Sequence, residues 1–183
     1  SSKKIEVLKN INYSFKSGKI YSLVGPSGSG KSTLLNLISL IDKPSSGYIK
    51  LDNKKINDND IDQRDTIRSK KIGIIYQDKN LLADFTTLEN VYMSRLSLND
   101  NKKKAVVDAK ILLKKVGLDK RLNHFPAELS GGESQRVAIS RALINSPDII
   151  LADEPTGNLD IKNARDIFKL LFSFRNKNRI IIF

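Results

Sequence analysis

The chain has no cysteine and no tryptophan, and only one histidine and one methionine. Without cysteine, a disulfide scaffold, a thiolate-bound zinc site and a thiol nucleophile are all excluded. Long hydrophobic runs are missing too. The longest uninterrupted ones, such as Ile149-Ile150-Leu151-Ala152, reach four residues, far short of the ~20 needed to cross a bilayer. Ser1-Ser2-Lys3-Lys4 carries no apolar stretch, so it does not read as a secretion signal, and the expected address is cytosolic. Arginine is scarce, 9 residues against 23 lysines, and arginine is the side chain suited to bidentate phosphate recognition.

What is present describes a folded domain. The 183 residues are 39% hydrophobic and 28% charged, which suits one domain with a real core and not a disordered tail. Basic residues number 32 against 20 acidic ones, a net charge of +12. They are scattered, and the longest run, Lys102-Lys103-Lys104, reads as a solvated face in preference to a nucleic-acid patch. Attraction to an anionic membrane surface is the other reading of the excess charge.

Turn signals divide the chain into alternating strands and helices. Ile11, Tyr13 and Phe15 alternate with polar residues as a half-buried strand does, and residues 20–24 read as a second strand. A glycine-rich loop leads to a helix over 31–41, closed by Pro44-Ser45-Ser46-Gly47. A strand is expected at 48–51, an exposed loop over the polar residues 52–65, and a strand at 72–76. Residues 80–116 read as mainly helical, and 117–129, with Gly117 and Pro126, as a connector. Helices over 131–145 and 161–176 flank a buried strand at 149–152, and 179–183 is a last strand. Strands alternating with helices imply an α/β fold with a largely parallel sheet. The helical stretch from 80 to 145 departs from that alternation and is expected to form its own lobe.

Gly25-Pro26-Ser27-Gly28-Ser29-Gly30-Lys31-Ser32 fits the pattern G-x-x-x-x-G-K-[ST] at every fixed position. Backbone N–H groups converge on phosphate oxygens only if a loop curls tightly, and glycine permits that curl. The following helix adds the partial positive charge and unpaired N–H groups of its N-terminus. Lys31 supplies a point charge for the β- and γ-phosphates, and the Ser32 hydroxyl is placed to ligate Mg²⁺. A flexible Gly/Ser turn does not explain why an apolar strand feeds this loop and an apolar helix leaves it. The expected ligand is a nucleoside triphosphate.

A triphosphate site also needs a second metal anchor and a group to handle water. The buried strand at 149–152 ends in Asp153-Glu154, at the end of a sheet where α/β ligands bind. Asp153 suits the metal, and Glu154 suits the orientation and deprotonation of water for attack on the γ-phosphate.

Leu129-Ser130-Gly131-Gly132-Glu133 is, locally, a capping box at a helix start, with Ser130 and Glu133 as its partners. It also resembles the LSGG(Q/E) signature of the nucleotide-binding subunits of ABC transporters. The resemblance covers nearly the whole chain, in order. It implies a P-loop NTPase (RecA-like) core with a mainly parallel sheet, a small antiparallel β subdomain and an α-helical signature subdomain. The core would take in 1–79 and 146–183, and the helical part 80–145. ATP-binding residues would be Gly25 to Ser32 together with Thr33. Gln77 falls where that family has its Q-loop glutamine, which senses Mg²⁺ and water and links to the membrane partner. Asn158-Leu159-Asp160 resembles the D-loop of the dimer interface, and Gln135-Arg136 also fits.

The resemblance implies ATP and Mg²⁺ as cofactors, a second ATP-binding subunit and integral membrane subunits as partners, and a place on the cytoplasmic face of the membrane. Glu154, Gln77 and Lys31 would be catalytic, Ser32, Gln77 and Asp153 would hold Mg²⁺, and Ser130 and Gly132 would reach the γ-phosphate of the facing subunit. The stretches 25–36 and 152–160 resemble the ATPases of lipoprotein-release systems, macrolide and antimicrobial-peptide exporters, and a cell-division complex. The family's switch histidine and its adenine-stacking aromatic have no counterpart here, so a fragment of a longer, more active subunit is expected. His124, ahead of the signature, reads as a structural loop residue, and Tyr13 and Tyr21 as sheet residues. A soluble ABC-type ATPase acting on nucleic acid or ribosomes is disfavoured, because only about a hundred residues separate Lys31 from the signature, too few for a long coiled coil. A nucleotide-gated scaffold is the remaining alternative, and the intact Asp153-Glu154 pair speaks against a dead enzyme.

Overall fold

The computed structural model describes residues 6–98 and 100–183. Four strands form one parallel sheet: β1 (Ile20–Tyr21), β4 (Ile72–Ile75), β5 (Ile149–Ala152) and β6 (Ile180–Ile182), in the order β1-β6-β5-β4. The registers align Ile75 with Ala152, Leu151 with Ile182, and Tyr21 with Ile182. A separate antiparallel pair joins β2 (Lys50–Leu51) to β3 (Lys54–Lys55). The helices are α1 (Lys31–Ile38), α2 (Ile61–Lys71), α3 (Thr87–Leu96), α4 (Lys102–Lys115), α5 (Gly131–Leu143) and α6 (Ile161–Ser173).

Side-chain alternation along β5 shows how the layers assemble. Ile150 and Ala152 enter a core shared with Val91, Leu113, Ile139 and Ile167 of the helices α3, α4, α5 and α6. Ile149 and Leu151 enter a second core on the other side, with Leu35 of α1 and Leu40 just beyond it. A strand buried on both faces between two helical layers is the normal state of a parallel sheet. Ile150 is fully buried, and truncating it to alanine should cost about 2–5 kcal/mol.

The entrances to the strands are laced together. Gly18 N–H donates to the Arg179 carbonyl at 3.1 Å, and Arg179 Nε donates to the Pro147 carbonyl at 2.8 Å. Asn145 Nδ2 donates to the Ser69 and Ser94 carbonyls, each at 3.0 Å.

Three expectations are corrected. Residues 11–16 form no strand. Instead Tyr13, Phe15 and Tyr21 pack edge-on, with ring centroids 4.9–6.0 Å apart, and the Tyr21 hydroxyl accepts from the Lys16 N–H at 2.7 Å. Their alternation therefore serves an aromatic cluster and not a ladder. Residues 52–65 are not a continuous loop, because they contain β3 and the first turns of α2. Asp60 caps α2 by accepting from Gln63 N–H at 2.8 Å, and Arg64 is buried as its Nη2 donates to the carbonyls of Leu40, Ile41 and Asp42 at 2.7, 3.2 and 2.8 Å. A guanidinium thus closes the C-terminal end of the α1 turn, where free carbonyls and negative potential collect. Finally, the helical region begins at Thr87, not at 80.

Candidate functional site

Because β1, β4, β5 and β6 run parallel, all their C-terminal ends share one rim. The loop 25–30 leaves β1 on that rim and enters α1. Gly28 and Gly30 adopt φ of +77° and +90°, a region closed to most side chains, and a Cβ at Gly30 would in addition collide with Leu8. Gly30 occupies the N-cap of α1 and provides no side-chain cap, so the first N–H groups of that helix, those of Lys31, Ser32 and Thr33, open toward the loop. The loop is tightened by Ser29 N–H donating to the Pro26 carbonyl at 3.2 Å. Lys31 Nζ crosses the loop and donates to the carbonyls of Gly25 and Pro26, at 2.9 and 3.0 Å. Ammonium and N–H donors concentrated on one exposed curl suit a polyanion.

Two strands over from β1, β5 leads to Asp153 and Glu154, and β4, one strand further, leads to Gln77. Asp153 N–H donates to the Ile75 carbonyl at 2.9 Å, which extends the β4–β5 pairing to the rim. Asp153 is half-buried and lines a small cleft with Tyr76, with Leu35 and Asn36 of α1 and with Ser39 at its C-terminal end. The acidic strand end and the helix of the glycine loop are therefore neighbours. Glu154 has φ of +44°, a left-handed conformation that costs a non-glycine residue of order 1–3 kcal/mol. Its carbonyl accepts from Gly157 N–H at 3.0 Å. A Cβ at Gly157 would lie 3.1 Å from Gln77 Nε2 and 3.5 Å from Glu154 Oε2, so the amide and the carboxylate flank one glycine.

The second group of residues surrounds the start of α5. Ser130 is its N-cap: Ser130 Oγ accepts from Glu133 N–H at 3.2 Å, and Glu133 Oε2 accepts from Ser130 N–H at 2.8 Å. The expected capping box is formed. Arg121 Nε donates to Glu133 Oε1 at 2.8 Å. That guanidinium, aided by the Ser130 N–H, holds the Glu133 carboxyl down to about 2. A Cβ at Gly131 would lie 3.4 Å from Leu159, and one at Gly132 would lie 2.9 Å from Asn163 Oδ1. Residues 129–133 therefore sit against 158–163. Asp160 caps α6 by accepting from Asn163 N–H at 3.0 Å, which keeps its carboxyl below the usual range. Gly157, beside Gln77 and Glu154, leads within two residues to Leu159, beside Gly131.

His124 is part of the loop ahead of α5, its Nε2 3.1 Å from Arg121 Nη1. Sequence reasoning did not anticipate Arg121 or Asn163. Both act across a fold contact, and neither lies in a recognisable spacing.

Comparison with known proteins bears on the family and the fold. Residues 8–157 match the family described as ABC transporter. A lipoprotein-releasing system ATP-binding protein LolD of Rickettsia bellii is 46% identical over 178 residues, covering 97% of this chain and 78% of its own length. The protein of the same name from Saccharophagus degradans is 48% identical over 168 residues, 92% and 74% of the two chains. A dimeric ATP-binding cassette solved in a post-hydrolysis state with ADP and Pi matches at a TM-score of 0.88 and 42% identity, over 100% of this chain and 81% of that one. The chain belongs to the ABC transporter family and is built as that family's ATP-binding cassette.

Proposed function

We propose that this chain is the ATP-hydrolysing subunit of an ABC transporter whose membrane partners release lipoproteins or export substrates. The observation that carries the reading is the meeting on one rim of the glycine loop, Gln77 and the Asp153-Glu154 pair. The lipoprotein-releasing relatives support the substrate class. No helix among the described residues is long and apolar enough to cross a membrane. By its likeness to the lipoprotein-releasing ATP-binding proteins, the subunit works as a peripheral one on the cytoplasmic face, through integral membrane partners. Residues 1–79 and 146–183 serve as the ATP-binding core and 80–145 as the helical subdomain, which meets the membrane partner together with Gln77.

In this reading Gly25 to Thr33 bind the triphosphate of ATP, with Lys31 on the β- and γ-phosphates. Glu154 accepts a proton from water as its oxygen attacks the γ-phosphorus, and the bond to the ADP oxygen breaks. Gln77, across Gly157, holds the same water. Ser32, Gln77 and Asp153 offer a hydroxyl, an amide and a carboxylate oxygen, a hard donor set that fits Mg²⁺. No group of three His, Asp or Glu that would cage a metal occurs among the described residues, and Mg²⁺ typically takes the rest of its shell from phosphate and water. When bound, it neutralises phosphate charge. Two subunits close head to tail, so that Leu129 to Glu133 of each, Ser130 and Gly132 foremost, meet the γ-phosphate held by the other, with Asn158-Leu159-Asp160 between them.

The test is Glu154→Gln in the full-length protein with Mg²⁺ and ATP. Turnover is expected to fall about 10²–10⁴-fold while ATP binding persists and ATP-dependent dimers accumulate in sedimentation. Unchanged turnover overturns the reading.

A further inference from the structure

The start of α5 carries a liability. It is the end of a helix to which an anion is to be brought, yet Glu133 puts a carboxylate in its first turn. Each γ-phosphate would approach that negative charge. The same carboxylate fixes Ser130, through the N–H bond described above. Ser130 Oγ accepts from Glu133 N–H, and its hydroxyl proton has the Glu133 carboxylate as its local acceptor, the bond that a γ-phosphate oxygen would have to replace. The direction of that donor depends on Glu133, and Glu133 depends on what holds it.

Arg121 is what holds it. Its Nε meets Oε1, the carboxylate oxygen not used by Ser130. The guanidinium is itself braced, since Nη1 faces His124 Nε2 at 3.1 Å. Arginine only donates, so in this contact the imidazole nitrogen is the acceptor. The backbone beneath is tied to α3: Thr87 N–H and Oγ1 donate to the His124 carbonyl at 2.8 and 3.1 Å, and Leu88 N–H to the Leu122 carbonyl at 3.0 Å. The Arg121 side chain is 44% exposed and that of Glu133 17%, so the pair lies at the surface with the carboxylate as its more enclosed member.

We propose that Arg121 is a positioning residue for the trans contact of Ser130: through Glu133 it aims the serine hydroxyl and cancels the carboxylate charge that would repel the γ-phosphate of the facing subunit. The proposal rests on the reading of Ser130 given above. An ordinary exposed ion pair contributes little to stability, whereas a donor displaced by a fraction of an ångström in a reacting complex changes rate strongly.

A double-mutant cycle in the full-length protein separates these, with kcat and KM for ATP, and the ATP affinity of the isolated subunit, measured for Ser130→Ala, Arg121→Ala, Glu133→Gln and the combination of the last two. Arg121→Ala is expected to lower kcat about tenfold while leaving the subunit's own ATP affinity within about twofold. Added to Glu133→Gln, which removes the charge to be held, the same substitution should cost less than about twofold more. Arg121→Lys, with the charge but not the fork, should fall between wild type and alanine. An equal loss from Arg121→Ala in both backgrounds, or a parallel loss of ATP affinity, overturns the proposal. So does an unchanged kcat in Arg121→Ala when Ser130→Ala is impaired. If Ser130→Ala is itself fully active, the underlying reading of the signature fails, and the two failures are thereby told apart.

Discussion

Lys31 and Gly25 face each other across the mouth of the glycine loop, the ammonium donating to the carbonyl at 2.9 Å. With the Pro26 carbonyl at 3.0 Å as a second acceptor, the side chain is folded over the curl it belongs to. Binding a triphosphate exchanges these neutral acceptors for charged ones, which favours the lysine with phosphate because charge-assisted bonds are about twice as strong. Lys31→Ala should therefore lower ATP affinity by about 10²-fold, measured by titration calorimetry, without unfolding the domain. Retained affinity would argue that the loop N–H groups suffice.

Arg64 should matter to stability more than its place among polar residues suggests. Replacing it with methionine leaves the buried Leu40 carbonyl and the part-buried Asp42 carbonyl, now bonded at 2.7 and 2.8 Å, without this donor. The expected loss is about 2–3 kcal/mol, seen as a melting temperature lower by about 5–10 °C. A change within about 1 °C would mean that Arg68, 3.3 Å from the Leu40 carbonyl, takes over.

These two residues show how unevenly the fold is written in the sequence. The glycine loop, β5 and the start of α5 are local patterns, in which fixed spacing and an apolar run dictate geometry within a few residues, and they are legible directly. Helix α2 is not, because its buried member is Arg64, held by carbonyls from another turn of chain instead of by apolar periodicity. The aromatics at 13 and 15 misled for the opposite reason: a strand-like alternation is satisfied by edge-on packing with Tyr21. At the site, each motif could be found singly, but the adjacency of Gly157 to Gln77, and of Gly132 to Asn163, belongs to the parallel register and the packing of α5 on α6.

Acid should loosen the start of α5 in a defined window. The Glu133 carboxyl titrates at 4.5 ordinarily and at about 2 in the fold. Its pKa is depressed by folding, so its contribution to stability is complete above 4.5, shrinks as pH falls, and is gone below about 2. The stability difference between the wild type and Glu133→Gln should therefore diminish between those limits. Denaturant melts at pH 5 and pH 3 check this, and a difference that grows toward acid would contradict it.

Gly132→Ala tests the packing beneath the signature. The new Cβ would lie 2.9 Å from Asn163 Oδ1, closer than such atoms normally come, so Asn163 or the first turn of α5 must shift. ATP turnover should fall about tenfold or more while ATP affinity of the isolated subunit stays within about twofold. The double substitution Gly132→Ala with Asn163→Gly, which clears the space, should recover part of the rate.

The lacing of Gly18, Arg179, Pro147, Asn145 and Ser69 at the strand entrances has a dynamic consequence. The ends where the strands begin are clamped by bonds between segments distant in sequence, while the ends where they finish carry the exposed glycine loop proposed to take the nucleotide. Amide exchange should run as a gradient, slowest where the chain enters the sheet and fastest where it leaves, which makes the sheet a fixed handle for a moving jaw.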